Sequence, residues 1–334
     1  IRRLASRCTV VYTGRGCPFD CNFCASNVVW NTNDKSTNNV TRMRPLSDVM
    51  DELELLQNQY GFEFFYIGDD TFGLVDKVIV EFCEEYIKRG LKMLWGAETR
   101  APCIKNPETA QLMKKAGCIQ LDFGVESGSP KILELVQKKI KVEQIHTAFD
   151  LCHKHGIRTF ANLLLNMPQE DENDLQMSHD LLERIRPTYT SIGLTQPYPG
   201  TPLYNQLPQK IDKSEYHTLN RITPIEKFRF AEHKHDLTKL LFDWQIKYKQ
   251  YPFFDRSMFI ASWPYWRKIL TSTHLLDYLR YFIVDISVTF MRAIAIRTPL
   301  RELKRKYQSE NVMGLSMEWW NVLRRKLRYG FRLW

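Results

Sequence analysis

The 334-residue sequence contains no cysteine after position 152, and all eight of its cysteines lie at or before that position. It begins with Ile and shows no basic segment followed by an apolar one, so the pattern of a secretory signal is missing. Disulfide frameworks belong mainly to small secreted domains. Chain length and composition are typical of a cytoplasmic protein with a sizeable core, whereas the Ile start and the missing signal pattern predict a fragment or a processed chain.

The sequence also lacks an uninterrupted apolar run long enough to span a membrane. Residues 275–296 are rich in apolar side chains, but Asp277, Arg280, Asp285 and Arg292 interrupt them. Each such charge costs about 2.5–3.5 kcal/mol at the centre of a bilayer. At helical periodicity the four charges share one face, which predicts an amphipathic helix packed on the rest of the protein. Docking on a membrane or on a lipid-like substrate is the alternative.

Three of the cysteines lie close together in "RGCPFDCNFCAS" (residues 15–26), where Cys17, Cys21 and Cys24 have the spacing CxxxCxxC. A structural zinc site takes four ligands, so three thiols leave it one ligand short. Three thiolates on a cubane iron–sulfur cluster leave one iron open to a small molecule. The odd number favours a 4Fe-4S cluster, with a non-catalytic zinc or structural cluster as the alternative. The other five cysteines are expected to be buried apolar residues.

Six short apolar runs alternate with amphipathic helical stretches between residues 9 and 200. The runs are rich in β-branched and aromatic residues, as buried strands are, and they cover residues 9–14, 62–68, 91–97, 118–126, 157–165 and 190–198. Strict alternation requires right-handed crossovers and a parallel sheet. The sequence therefore predicts an α/β fold, a partial (β/α)6 TIM-like barrel with a mostly helical C-terminal extension.

Polar and glycine-rich strings follow the strands. The cysteine loop follows the first run, and the later ones end in "GDDTF" (68–72), "AETR" (97–100), "GVESGS" (124–129), "NMPQED" (166–171) and "PYPGTPLY" (197–204). Sites in such barrels lie at the carboxyl ends of the strands. We therefore expect one functional site at this rim.

Over roughly residues 5–205 the chain resembles the radical S-adenosylmethionine (SAM) superfamily. Within it, the chain resembles the branch that carries a cobalamin domain ahead of the barrel, through the strings "GRGCPFDCNFC", "DDTF", "GVESGS" and "PYPGTPLY". The resemblance implies that Cys17, Cys21 and Cys24 hold a 4Fe-4S cluster whose open iron binds SAM. Cleavage of SAM then yields a 5′-deoxyadenosyl radical that abstracts hydrogen from an unactivated carbon. No catalytic residue beyond the cluster ligands is identified.

The resemblance also implies SAM contacts in the cysteine loop and at the strand ends, namely Phe23, Gly68, Asp69, Asp70, Glu98, Arg100, Glu126, Ser127 and Tyr198. Phe23 would pack against the adenine, and residues 68–70 stand where the family has a "GGE" segment. Glu126 and Ser127 match fourth-strand positions that contact SAM. Their alternative role is to cap the helix that begins near Pro130.

The family's cobalamin domain carries a DxHxxG motif, and the 16 residues ahead of Cys17 leave no room for such a domain in this chain. The string "DLCHKHG" (150–156) has the wrong spacing. We expect a domain or partner outside this chain to supply cobalamin for methylation of a small-molecule or lipid-like substrate. A cyclase, oxidoreductase or rearranging enzyme without cobalamin is the alternative.

We expect two regions, a core barrel at residues 1–207 and a helical, basic and aromatic region at 208–334 that serves the substrate or an accessory role. The net charge of +9 is most simply a solvated exterior. Expected partners are the substrate and an electron donor, either a reductase or a flavodoxin or ferredoxin. Peripheral membrane contact is a further expectation, and nucleic acid is disfavoured.

Overall fold

The computed structural model describes residues 8–30, 41–208, 210–219 and 228–248. Six strands form one sheet in which every neighbouring pair is parallel, and their order across the sheet is β1 (Cys8–Val11), β4 (Phe64–Ile67), β5 (Leu94–Thr99), β6 (Cys118–Glu126), β7 (Arg158–Leu165) and β8 (Tyr189–Leu194). Two further strands, β2 (Gly14–Arg15) and β3 (Arg42–Met43), pair antiparallel beside the cysteine loop. All six predicted strands are thus confirmed, in sequence order.

Helices connect the parallel strands, as crossover connections require. The described helices are α1 (Ser26–Trp30), α2 (Leu46–Asn58), α3 (Asp76–Lys88), α4 (Pro107–Lys115), α5 (Pro130–Leu135), α6 (Val142–Lys154), α7 (Glu172–Ile185), α8 (Pro202–Asn205) and α9 (Leu237–Tyr248). Gly90 and Gly156 follow α3 and α6 with φ of +67° and +65°. Glycine adopts this left-handed conformation at little cost, which ends each helix just before the next strand.

The main hydrophobic core lies between the sheet and the surrounding helices. Phe65, Trp95, Leu121, Ala161 and their neighbours at alternate strand positions are fully buried in it. Because side chains alternate between the faces of a strand, the intervening positions face the other side of the sheet. We call that side the inner face.

Four of the five cysteines outside the loop are buried, as expected: Cys83, Cys103, Cys118 and Cys152. Cys8 is half-buried.

After β8 the chain forms α8 and a short 3-10 turn at Lys213–Thr218, and then returns to the sheet as α9. Leu237 and Leu241 of α9 are buried in the main core. The other predicted helices of the C-terminal region, including 275–296, lie outside the described residues. Within the described part of the chain, no helix has both the length and the apolar character to cross a membrane.

Candidate functional site

The cysteine loop follows β2 and leads into α1, next to the carboxyl ends of β1 and β4. Cys21 is buried, whereas Cys17 and Cys24 are half-buried, and all three thiols are free. The backbone N–H of Cys24 donates to the carbonyl of Cys21 at 3.1 Å, so the last two cysteines lie on one tight turn. The Cys17 sulfur is 3.5 Å from the hydroxyl oxygen of Thr71, just after β4.

Two carboxylates at the end of β4 fix both flanks of this loop. Asp69 accepts hydrogen bonds from the backbone N–H of Thr13 at 2.7 Å and of Gly14 at 3.1 Å, and from the Thr13 hydroxyl. Asp70 accepts from the backbone N–H of Gly16 at 3.0 Å and from the Ser26 hydroxyl at 2.6 Å. Burial raises the pKa of Asp69, and the hydrogen bonds from Thr13 and Gly14 act in the opposite direction.

Asn22, between the second and third cysteines, holds the middle of the loop. Its backbone N–H donates to the carbonyl of Val136 at 3.1 Å, and its side-chain amide donates to that of Leu135 at 3.0 Å. Its own carbonyl accepts from Leu203 N–H at 3.0 Å. No local pattern in the sequence marks Asn22, because its partners lie more than 100 residues away.

A buried charged cluster lies beside Cys21. Arg100, at the end of β5, points a guanidinium nitrogen at the Cys21 sulfur, 3.8 Å away. Lys138 and Glu126 form an ion pair of 2.8 Å with both side chains 8% exposed. Burial raises the pKa of the Cys21 thiol, while the positive charges of Lys138 and Arg100 act to lower it. Lys138 is a site residue that the sequence analysis missed.

Glu126 ends β6 in a left-handed conformation with φ of +63°, where the pairing of β6 with β7 shifts register. A non-glycine residue at such a φ is uncommon, and strain of this kind concentrates at functional sites. Its carboxylate and the ammonium group of Lys138 both lie close to Gly124. A Cβ atom at position 124 would be 2.6 Å from each of these charged groups. Glycine at position 124 therefore makes room for the ion pair.

Ser127 is fully buried, and its hydroxyl forms hydrogen bonds within the protein. Its hydroxyl lies 3.1 Å from the hydroxyl of Ser178 on α7 and accepts from Ser129 N–H at 3.1 Å. The residue that caps the helix beginning at Pro130 is Ser129, whose hydroxyl accepts from Ile132 N–H. The capping role considered for Glu126 and Ser127 is therefore wrong.

The remaining predicted residues lie at different places on the rim. The Phe23 ring packs on a small apolar cluster that includes Val136 and Met167. Gly68 lies against the side chains of Val10 and Tyr12. The side chain of Glu98 is exposed, and Tyr198 packs on a cluster formed by the chain after β8.

The inner face of the sheet carries a polar network that the sequence analysis did not identify. Tyr66 donates to one oxygen of Asp122 at 2.9 Å, and the Gln120 amide donates to the other at 2.8 Å. Arg158 in turn donates to Gln120. Burial raises the pKa of Asp122. The alternation of "CIQLDFGVE" was an available signal, because it places Gln120, Asp122 and Glu126 on one face.

Fold and site define a class of protein: a parallel α/β partial barrel with a three-thiol loop held at the carboxyl ends of its strands. The sequence pattern of the Radical SAM superfamily matches residues 11–182, more than half of the chain. The chain therefore belongs to the radical SAM superfamily, whose members use a 4Fe-4S cluster and SAM.

Two relatives show the extent of the similarity. The chain is 31% identical over 214 residues to an anaerobic magnesium-protoporphyrin IX monomethyl ester cyclase of Rubrivivax gelatinosus, covering 64% of this chain and 37% of the relative. It is 29% identical over 224 residues to an uncharacterized methyltransferase of Pyrococcus horikoshii, covering 66% of this chain and 47% of the relative. The chain thus spans less than half the length of either relative.

A solved structure shows the same fold. The radical SAM methyltransferase TsrM from Kitasatospora setae, with cobalamin and a [4Fe-4S] cluster bound, aligns with a TM-score of 0.52 at 23% identity over 58% of this chain and 35% of its own. Identity this low supports the fold alone.

The donor set around the loop fits the superfamily's cluster. In the part of the chain that the structure describes, no group of three or more His, Cys, Asp or Glu is arranged to hold a single metal ion. A cubane cluster does not need its thiolates to converge on one atom, because each binds a different iron. Asn22 Oδ1 and Arg100 Nε are also buried beside the loop without hydrogen-bond partners.

Proposed function

We propose that this chain is the core of an enzyme that reductively cleaves SAM at a 4Fe-4S cluster held by Cys17, Cys21 and Cys24, and then removes hydrogen from an unactivated carbon. The observation that carries this proposal is the three-thiol loop held at the strand ends by Asp69 and Asp70. When bound, the cluster and SAM supply a 5′-deoxyadenosyl radical. The chain's own residues orient the two cofactors and exclude water.

We further propose that SAM is contacted by Phe23, by the backbone and carboxylates of residues 68–70, by Glu98, Glu126 and Ser127, and by Tyr198. Support for Glu126 comes from its strained backbone and its buried pairing with Lys138 beside the loop. Both carboxylate oxygens of Asp70 accept hydrogen bonds from residues that flank the three cysteines. We therefore propose that Asp70 also positions the thiols. Arg100 was expected to contact SAM, but its contact with Cys21 supports a role toward the cluster.

The reaction that we propose after hydrogen abstraction is methyl transfer from cobalamin held by a domain or partner outside this chain. Support comes from a relative named as a methyltransferase and from the resemblance of the chain's motifs to the cobalamin-dependent branch of the superfamily. Cyclisation is the second candidate, because another relative is named as a cyclase.

The substrate that we propose for the inner face is a small molecule with polar groups. Barrel interiors of this kind are dominated by branched apolar residues. Here Tyr66, Gln120, Asp122 and Arg158 line one continuous hydrogen-bonded patch instead. Such a surface supports a hydrogen-bonding substrate better than a purely lipid-like one.

We propose that residues 1–207 are the cofactor-binding unit and residues 208–334 the accessory one, with a flavodoxin or ferredoxin as electron donor. The chain from Phe228 onward returns to the end of β7, where Asn166 donates to the carbonyl of Phe228 at 2.8 Å and accepts from Phe230 N–H at 2.9 Å. This contact supports an accessory region that adjoins the rim.

Anaerobic reconstitution tests the core of the proposal. The protein is expected to bind about four irons per chain and, with a reductant, to convert SAM to methionine and 5′-deoxyadenosine. The matched control is Cys21→Ala, which is expected to do neither. A colourless protein with one tightly bound zinc would instead support the non-catalytic alternative.

A second experiment separates methyl transfer from cyclisation. The protein, together with the domain or partner that binds cobalamin, is supplied with SAM and hydroxocobalamin under reducing conditions. Methyl transfer predicts that methylcobalamin and S-adenosylhomocysteine form, whereas cyclisation without cobalamin predicts only 5′-deoxyadenosine and methionine.

A further inference from the structure

Arg100 is a buried cation beside the cysteine loop. Its side chain is 5% exposed, and its guanidinium lies over the ring of Phe19 at 3.7 Å from the centroid. One nitrogen donates toward the Cys21 sulfur at 3.8 Å, and another donates to the carbonyl of Lys138. The side chain is thus fixed on three sides against the loop.

The charge of Arg100 has no carboxylate partner among the described residues, in contrast with Lys138, which is paired with Glu126. An isolated buried charge is costly unless an opposite charge compensates it. The neighbouring group that can become anionic is the thiol of Cys21. The balance of charge around Cys21 is therefore positive until the thiols ionise and bind a metal cluster.

A 4Fe-4S core with three thiolates is an anion, and one-electron reduction adds a further negative charge to it. Nearby positive charge and hydrogen bonds to sulfur stabilise the reduced form and raise the reduction potential. We propose that Arg100 is a positioning residue that sets the reduction potential of the cluster through Cys21. This inference rests on the proposed function, because it assumes that Cys17, Cys21 and Cys24 hold a 4Fe-4S cluster.

The redox step is the uptake of one electron by the oxidised cluster from an external reductant, with no proton transferred. Removal of the guanidinium charge leaves the added negative charge uncompensated in a buried place, where Coulomb interactions are weakly screened. Arg100→Gln is therefore expected to lower the ratio of reduced to oxidised cluster about tenfold at a fixed potential. For a one-electron couple this is a midpoint about 59 mV more negative.

A variant of opposite sign tests the same electrostatic argument. Glu126→Gln removes the carboxylate that neutralises Lys138, so the lysine charge then acts on the cluster unopposed. This variant is expected to raise the reduced fraction. Arg100→Lys keeps the charge and is expected to restore most of the wild-type ratio.

The matched control is Lys139→Met, which removes one positive charge from the residue next to Lys138. Lys139 pairs with Asp20 of the cysteine loop, but the two side chains are 57% and 69% exposed. Solvent screens exposed charges, so this variant is expected to leave the midpoint unchanged.

The experiment is a titration with dithionite and redox mediators, followed by electron paramagnetic resonance in the absence of SAM, after iron has been counted in each protein. A cluster-bearing Arg100→Gln protein with the wild-type midpoint would overturn the inference. If Arg100→Gln binds no iron, the midpoints of Glu126→Gln and Arg100→Lys are measured instead. An unchanged midpoint in Glu126→Gln would then refute the electrostatic role. Absence of a cluster from the wild-type protein would instead refute the proposed function.

Discussion

Single side chains at the end of β4 determine how the cysteine loop is held. Asp69 and Asp70 are adjacent in sequence, yet each carboxylate binds a different part of the loop. Hydrogen bonds that involve a charged group contribute about 1.5–3 kcal/mol each. The loop conformation therefore depends on two residues that lie about 55 positions away from it.

At the residue scale, the first prediction concerns the three thiols. Replacing Cys17, Cys21 or Cys24 with Ala is expected to abolish cluster binding, because no spare cysteine lies in the loop to take over the vacant iron. Iron and labile sulfide are measured after anaerobic reconstitution. The control is Cys118→Ala, a fully buried core residue whose loss is expected to cost packing energy of about 1–2 kcal/mol and to leave the iron content unchanged. Full iron content in the Cys21 variant would refute the ligand assignment.

The second prediction concerns Asp70. Asp70→Ala removes the acceptor for Gly16 N–H and for the Ser26 hydroxyl, one on each side of the three cysteines. Iron is expected to pass from the reconstituted variant to a ferrous chelator at least about tenfold faster than from the wild type, since tenfold corresponds to 1.4 kcal/mol. Asp20→Ala is the control, because Asp20 lies in the same loop with an exposed side chain. Equal rates in the Asp70 variant and the wild type would remove Asp70 from the loop-holding role.

At the scale of elements, the connection from β6 to α5 is positioned by its contact with α7. Gly128 N–H donates to the Ser178 hydroxyl at 2.8 Å, and Ser129 donates to Asp174 at 2.6 Å. Through these contacts α7 fixes the segment that follows Glu126. Gly128 and the two serines of "GVESGS" are thus explained by packing against α7.

The third prediction follows from the closeness of this contact. A Cβ atom at Gly128 would lie 2.4 Å from the backbone oxygen of Met177, which cannot move without displacing α7. Gly128→Ala is expected to lower the free energy of unfolding by about 1–3 kcal/mol through overpacking, measured by urea denaturation. The comparison is Gly90→Ala, where no atom lies within 4 Å and only the positive φ is unfavourable, which costs about 1–2 kcal/mol. The contact at Gly128 also orients Glu126. Of the two variants, only Gly128→Ala is therefore expected to weaken SAM binding.

At the scale of the whole molecule, the chain after β8 is attached to the rim through a buried acid. Glu170 accepts from Asn166 N–H at 2.8 Å and lies 3.4 Å from the ring nitrogen of His233, while its other oxygen is buried without a partner. The backbone N–H of Glu232 donates to the carbonyl of Glu170 at 2.8 Å. This contact joins two segments that are more than 60 residues apart.

The fourth prediction is a pH dependence at this contact. Burial raises the pKa of Glu170 above its unfolded value of about 4.3. The folded state then binds the proton more tightly, so this group's contribution to stability is complete below the unfolded pKa and is lost as pH rises through the folded pKa. Glu170→Gln cannot ionise, and the stability of the variant relative to the wild type is expected to increase as pH rises through that window.

Urea denaturation at several pH values between about 4 and 7 measures this difference. Glu172→Gln is the control, because Glu172 pairs with His235 at a site where the two side chains are 62% and 49% exposed. If the free energies of unfolding of Glu170→Gln and the wild type differ by the same amount at every pH, the prediction is contradicted.

The sequence by itself determined the order of strands and helices and the position of the cysteine loop. Both depend on local information, since strand and helix periodicity and the chirality of crossovers involve residues near one another in the chain. The spacing of Cys17, Cys21 and Cys24 is likewise local, and so is the placing of polar strings after each strand.

Only the tertiary structure decided which side chains meet. Arg100 reaches Cys21 across 79 residues and Ser127 meets Ser178 across 51, and no periodicity in the sequence specifies either pair. Such partners depend on strand register and on the helix that packs over each strand end. The sequence could therefore predict that polar residues gather at one rim. It could not predict which of them hold the cysteine loop, as Asp70 does, and which lie beside Cys21, as Arg100 does, because three-dimensional packing decides this.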